Sequence, residues 1–236
     1  YPLNMNAENY VASIFLDFGL FFSLEVETDS IQPLLPEGVD LEPSENGKAG
    51  LMFNLVHFME GGDVAQMEAC WEIDAGARVE LDNKMFPIGP EALSASFLLN
   101  VASTSIGYNE ECERRSYPMH PRLDLKVVED EAGFNISDGE GMIARVEYAA
   151  RDTVFAPYRQ AGQDVMVDPL GIVRVNYEIA AEGTQLSLEE VRLILSLEHP
   201  FFTRLSLIGA EPKIRKVIFI KPEQRHSVAF FKGDYE

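Results

Sequence analysis

Basic residues are scarce in this chain of 236 residues: 19 Lys and Arg stand against 39 Asp and Glu, for a formal net charge of −20. Nucleic-acid binders depend on clustered cations to displace phosphate counterions, so the charge argues against a nucleic-acid partner. It equally disfavours anionic membrane surfaces. The acidity serves solubility and says little about a ligand, because a buried site can differ in sign from the surface. Cysteine is nearly absent. Cys70 and Cys112 make no disulfide framework, which points to a reducing compartment and a cytoplasmic default. No apolar run reaches the ~18 residues of a membrane span. The most apolar segment, Val11 to Leu24, is interrupted by Asp17 and lacks a basic leader, so it does not read as a signal peptide. The first residue is Tyr1 and not Met, so whether a segment preceded it stays open. Repeats, low-complexity tracts and Gly-, Ser- or Pro-rich linkers are also missing, and one domain over residues 1–236 is expected.

The common catalytic signatures are missing too: no GxGxxG opening a helix, no P-loop, no GxSxG elbow and no CxxC. The histidines His57, His120, His199 and His226 lack the i, i+4 spacing of a helical zinc site. No metal or other cofactor is expected.

What is present is a succession of short apolar stretches rich in β-branched and aromatic residues, punctuated by turn residues. Phe22, Leu24 and Val26 share a face of one alternating stretch, and Gly50 to Phe58 has the few charges of a strand covered on both faces. Further strands are expected over Val64 to Ile73, Ala92 to Ala102, Leu123 to Val128, Phe134 to Ser137, Met142 to Tyr148, Val173 to Ile179 and Ile214 to Ile220. Asp29 to Leu35 suits a helical turn or two. The clearest helix is expected near Leu188 to Leu197, where Ser187 and Glu190 have capping-box spacing. Such a pattern implies a mainly β (α+β) fold of antiparallel sheets closing on each other, with one or two helices.

Two regions carry a family resemblance. The first runs from Phe21 to Phe58, with Thr28-Asp29 and Leu35-Pro36-Glu37-Gly38-Val39 ahead of a strand beginning near Ala49. The second is Glu113-Arg114-Arg115-Ser116-Tyr117-Pro118-Met119-His120-Pro121, leading into Leu123 to Val128. In order and spacing these resemble the acetoacetate decarboxylase family, over roughly Phe21 to Tyr148, with Ile214 to Phe231 similar to its closing segment. The resemblance implies a barrel- or cone-like fold, a small-molecule ligand and a homo-oligomer. It aligns Glu113 with the family's Glu and Tyr117-Pro118 with its aromatic-Pro. The two lysines that follow in the family are Met119 and His120 here. Decarboxylation by the family needs an activated lysine amine that forms a Schiff base with a ketone, and Met119 offers no amine. Lys126 alternates away from Leu125 and Val127, and Lys84 sits in a turn-like stretch, so neither is a natural replacement.

Other aligned positions have changed as well. The family's arginine aligns with Glu27, the Glu of its core strand with Asn54, and the Glu of the next strand with Glu68, a match that crosses a one-residue gap and leaves Glu72 as an alternative. With Glu27 in place of arginine, an anionic substrate loses its partner and meets like charge. A neutral ligand follows, or one anchored elsewhere, for example by Arg114 or Arg115. His120, Glu68 and Glu113 are the candidate acids and bases, and Glu27, Asn54, Arg114, Tyr117 and Met119 the candidate ligand contacts. The expected function is non-imine acid/base chemistry on a mostly apolar carbonyl compound, as a lyase, hydratase or dehydratase, cyclase or hydrolase, in the secondary-metabolite context some relatives share. The competing reading is a non-catalytic binding or carrier protein with a vestigial pocket. Enzymatic use of the named set requires at least two of Glu68, Glu113 and His120 to converge on one cavity. A carrier requires a cavity lined mainly by Met, Phe and Leu.

Overall fold

A computed structural model describes residues 10–42, 47–62, 68–80, 93–115, 124–148, 153–203, 205, 207 and 212–231. Its strands are β1 (Tyr10–Glu27), β2 (Lys48–Gly62), β3 (Cys70–Val79), β4 (Leu93–Ser103), β5 (Lys126–Asp130), β6 (Gly133–Asp138), β7 (Gly141–Tyr148), β8 (Ala156–Asp168), β9 (Gly171–Gln185), β10 (Val191–Leu195), β11 (Lys213–Ile220) and β12 (His226–Phe231). Helices are few and short: α1 (Thr28–Ile31), α2 (Ile106–Arg115) and α3 (Pro200–Thr203). No described helix is long and apolar enough to cross a membrane.

Alternation decides how these strands assemble. On β2, Leu51, Phe53 and Leu55 are fully buried in the main core, whereas Met52, Asn54, Val56 and Phe58 face a cavity. A strand with both faces covered has no need of charged positions, which accounts for the apolar run in its sequence. β1 keeps Leu20, Phe22 and Leu24 in the same core. Its pairing with β2 shifts register between Leu16 and Phe18, and Ile14 and Leu16, beyond that bulge, line the cavity.

The eight-stranded sheet has the order β11-β1-β12-β9-β8-β4-β3-β2, with β1 also paired to β2 and β11 to β9. These two extra pairings close it. β12 spans β1 and β9 at one end, through Tyr10–Leu16 and Asn176–Ala180, and β11 does so at the other, through Gly19–Glu25 and Gly183–Gln185. The result is the expected barrel-like closure of a mainly β chain. One pairing, β4 with β8, is parallel, because the chain builds α2 and three strands of the smaller sheet, β5 to β7, between them before returning in the same direction. The smaller sheet, β10-β7-β6-β5, packs outside the barrel. Phe134 sits edge-on to Phe18 at 4.8 Å, and Tyr148 edge-on to Phe219 at 5.4 Å. Each such pair contributes about 0.5–1.5 kcal/mol beyond its area burial.

The helix expected over Leu188 to Leu197 is a strand. The Glu190 amide donates to the Ser187 carbonyl at 3.0 Å as a turn, and β10 then pairs with β7 along its length. An available sheet edge overrides local helical spacing. The main helix, α2, went unread in the sequence. Its N-cap is Ser105, whose Oγ accepts from the Tyr108 amide at 3.2 Å. β8 and β12 also lacked a clear apolar signature. Lys126 is exposed, while Leu125 is buried, as their alternation implies.

Candidate active site

The barrel encloses a cavity of about 470 Å³. Register fixes which side chains meet in it. Asn54 on β2 is paired with Asp74 on β3, and Val56 with Glu72, so the two acids, two residues apart, project from the same face of β3. Farther along the same wall, where β4 lies beside β3 and β8 beside β4, Ser96 on β4 is paired with Asp164 on β8. Asn54 Nδ2 donates to Asp74 Oδ1 at 2.8 Å, and Ser96 Oγ donates to Asp164 Oδ1 at 3.2 Å. Glu72 is 8% exposed, and its Oε2 has no hydrogen-bond partner among the described residues.

Three carboxyls inside an apolar barrel cannot all ionise freely. Burial pushes Asp74 up to about 8; the Asp164 carboxylate adds to the rise and the Asn54 hydrogen bond opposes it. Burial likewise pushes Asp164 up to about 7, against the Ser96 hydrogen bond. Glu72 is raised well above the ordinary carboxylate range, first by burial and then by Asp74 and Asp164. Near neutral pH the cavity therefore holds both protonated and ionised carboxyls.

Tyrosines complete the polar wall. The Tyr158 hydroxyl donates to Gln160, whose Nε2 donates to the Tyr177 hydroxyl at 3.4 Å. Tyr177 lies across Gly162, where a Cβ would come within 2.4 Å of its ring. A glycine there is what lets the ring lie over its neighbouring strand and into the cavity. Burial raises both tyrosines, Tyr158 to about 12, so they act as neutral hydrogen-bonding groups at physiological pH.

The cavity is polarised along its axis. Arg78, Arg159 and Lys216, its lining cations, sit where β3 ends and β8 and β11 begin. Arg78 Nε donates to Glu42 at 2.8 Å. The opposite end, at the start of β3, holds Glu72 among Val56, Phe58, Tyr108 and Phe230.

This geometry revises the candidate residues. Asn54 lines the cavity. Glu68 does not: it is exposed, and its Oε1 accepts from the Ile106 amide at 2.8 Å, at the start of α2. The alternative, Glu72, is the one in the wall. Glu113 and Arg114 are exposed on α2 and do not line the cavity. Glu27, also exposed, pairs with Lys48 outside it. Tyr117, Met119 and His120, like Arg115's side chain and Lys84, lie outside the described residues. Glu68 and Glu113 thus fail to converge, and Glu72, Asp74 and Asp164 stand where they were expected.

One histidine-acid group lies elsewhere. Ligand atoms of Asp138, Glu140 and His199 fall within 4.8 Å of one another. The Phe201 amide donates to His199 Nδ1 at 3.1 Å, which leaves Nε2 as the protonated nitrogen, donating to Asp138 Oδ1 at 3.0 Å. Both ring nitrogens are thereby committed to protein groups that tie α3 to the end of β6, a structural use of the residue. Cys70 is not a nucleophile either, since burial and then Glu72 push its thiol up to about 12.

No protein-family model matches the sequence, and no curated protein matches it. Solved structures do match the fold. An acetoacetate decarboxylase aligns over 95% of this chain and 88% of its own, at 11% identity and a TM-score of 0.59. The enduracididine biosynthesis enzyme MppR, complexed with the condensation product of pyruvate and imidazole 4-carboxaldehyde, aligns over 96% and 89%, at 12% identity and TM-score 0.56. An acetoacetate decarboxylase-like enzyme from Sphingomonas wittichii RW1 aligns over 97% and 94%, at 11% identity and TM-score 0.56. The closed barrel, the cavity inside it and the smaller sheet packed on its outside belong to one architecture: the chain has the acetoacetate decarboxylase-like fold.

Proposed function

We propose that the protein is an enzyme that binds a mostly apolar carbonyl compound inside the barrel and moves protons on it, using Asp74, Asp164 and Glu72 and no imine. The observation that carries this reading is the set of three buried carboxyls with raised proton affinity, facing one cavity whose remaining wall is largely apolar. Proton transfer is most efficient when acid and base titrate near the working pH. The ionised Asp164 carboxylate takes a proton from the carbon beside the carbonyl, the C–H electrons become the enol double bond, and protonated Asp74 delivers its proton to the carbonyl oxygen. The Asn54 hydrogen bond holds Asp74 through Oδ1, leaving Oδ2 to face the ligand. The reverse transfer returns the proton to carbon; where the adjoining carbon bears a leaving group, the enol instead gives its O–H proton back to Asp74, reforms the carbonyl and expels that group, which takes the proton held by Asp164. Imine chemistry has little support: Met119 stands where the family's lysine is expected, and the described lysine of the lining, Lys216, is exposed at the cavity's cationic end. Two proteins of the same fold whose structures carry enzyme names, one bound to a condensation product of carbonyl compounds, support the substrate class.

The test is proton exchange. A panel of aryl and alkyl ketones in deuterated buffer, followed by NMR, should show α-carbon exchange above the buffer rate. Asp74→Asn and Asp164→Asn should each lower it by about 10²–10⁴-fold, the usual contribution of a positioned acid or base. Ligands that bind the wild type without any accelerated exchange would instead identify a carrier, the reading that the Met52, Phe58, Leu98, Met166 and Phe230 lining favours.

A further inference from the structure

Glu72 raises a question that proton transfer alone leaves open. A carboxyl that is 8% exposed, aimed into a cavity and lacking a partner for Oε2 among the described residues forfeits roughly 1–3 kcal/mol, or more when charged, unless something supplies the missing contact. Asp74 and Asp164 each have a neutral hydrogen-bond donor, Asn54 and Ser96, and among the described residues no ion pair joins any of the three to a cation. The lining cations do not serve them: Arg78, Arg159 and Lys216 occupy the far end, and Arg78 is engaged with Glu42. The groups coupled to Glu72 are Cys70 and the two aspartates, with Phe58 and Phe230 supplying aromatic surface in the same cavity. Cys70, Asp74 and Asp164, the groups coupled to Glu72, are neutral or negative, and the Arg78 charge is felt farther along the wall, at Tyr177.

We infer that the ligand of this cavity carries a positively charged organic nitrogen, an ammonium or amidinium group, bound at the Glu72 end between the carboxyls and the aromatic rings. The inference rests on the proposed carbonyl-binding reading and adds the ligand's second functional group. Its geometry favours an organic cation over a metal ion. The cavity acids do not form a set of three with ligand atoms within 4.8 Å of one another, the one such group among the described residues being Asp138, Glu140 and His199. A compact ion needs converging oxygens at about 2.0–2.6 Å. An ammonium with its alkyl body can instead reach separated carboxyls while its carbon surface contacts Phe58 and Phe230, where desolvated cation–π contact contributes about 2 kcal/mol. The net charge of −20 acts in the same direction at long range, concentrating cations near the protein and repelling anions.

Binding benzylamine and its neutral counterpart benzyl alcohol to the full chain by isothermal titration calorimetry tests this without any turnover. The expected result is at least tenfold tighter binding of benzylamine at pH 7. Repeating the titration in two buffers of different ionisation enthalpy should show proton release, because a bound ammonium favours the ionised form of carboxyls that were protonated. Glu72→Gln, which keeps the volume, should bring the two affinities within about threefold. Asp74→Asn is the second variant should Glu72→Gln fail to fold, and should reduce the preference at least threefold. Equal or tighter binding of the alcohol, binding of neither probe, benzylamine binding without proton release, or a preference that survives both substitutions would each overturn the inference. Ketone α-exchange is measured separately. Loss of the amine preference with exchange intact removes the cation and keeps the enzyme; absence of exchange with the preference intact does the opposite.

Discussion

Replacing Asp74 by Asn removes a group that the folded protein holds protonated and the unfolded chain does not, and the consequence for stability has a sign and a pH window. The Asp74 carboxyl moves from 3.8 to about 8 on folding. Below about pH 4 both states hold the proton, and the wild type carries no penalty. Between about pH 4 and 8 only the native state keeps it, so stability falls as pH rises, by about 1.4 kcal/mol per unit for one fully shifted group. From pH 4 to 7 that is at most ~4 kcal/mol, and water within the cavity reduces it to about 2 kcal/mol. Asp74→Asn escapes this loss while its amide oxygen still accepts the Asn54 hydrogen bond. Urea unfolding of both proteins, at pH 4 to 9, should therefore show similar stabilities at pH 4. The variant should become more stable by about 2 kcal/mol at pH 7, with the gap widening to pH 8 and level beyond. A gap independent of pH, or one that widens toward acid, would refute the assignment of Asp74 to a buried site that favours its protonated form. A more stable protein that exchanges protons poorly is also the expected trade-off for an active-site carboxyl.

Two further substitutions separate the cavity wall from its surroundings. Gly162→Ala drives a methyl into the Tyr177 ring, and overpacking of this kind costs about 1–3 kcal/mol. The thermal midpoint should fall by about 2–10 °C, and ketone exchange should fall with it as Tyr177 is displaced from the wall. Glu68→Ala removes a carboxylate that accepts from the first amide of α2. It should cost about 0.5–1 kcal/mol in chemical denaturation and leave exchange unchanged. A large loss of exchange in that variant would return Glu68 to the catalytic set.

Much of the architecture could be read from residue patterns because the strands that form the shared core repeat at period two. Phe22, Leu24 and Val26 on β1 and the charge-poor β2 announce buried strands directly. β8 does not, since Tyr158-Arg159-Gln160-Ala161-Gly162-Gln163-Asp164 is polar on both faces. Its inward face supplies Tyr158, Gln160 and Asp164 to the polar part of the cavity wall, and its outward Gln163 is buried against Asn176 and Arg174. A hydrophobicity criterion is blind to such a strand. β10 was misread for the opposite reason: Val191, Leu193 and Ile194 fit a helical face as well as a strand, and only the edge of β7 decides. The site was half legible. Alignment found Asn54 and offered Glu72 as an alternative, but Asp164 lies on the strand whose pattern was invisible. Asp74 had a signal: Glu72 and Asp74 share one face of a strand whose other face, Ile73 and Ala75, is wholly buried. Two acids at i and i+2 opposite a core face must look into either solvent or a cavity, and on a strand already flanked by two others the cavity is the natural reading.

The same residues explain how a strongly acidic chain keeps carboxyls inside its barrel. Surface acids repel one another weakly through solvent, whereas Glu72, Asp74 and Asp164 share one buried cavity, in which Asp164 raises the proton affinity of Asp74 and both raise that of Glu72. Neutralising them with buried lysines would have removed their capacity to exchange protons, and replacing them with leucine would have left a featureless apolar pocket. Retaining them protonated costs stability only as pH rises through their titration range, near where proton transfer is most effective. The price of the arrangement is thus concentrated in the pH interval in which the cavity is useful. Accidental acids would gain from turning outward; on a closed barrel with Asn54 and Ser96 donating to two of them, these are held facing in, as the proposed proton transfer requires.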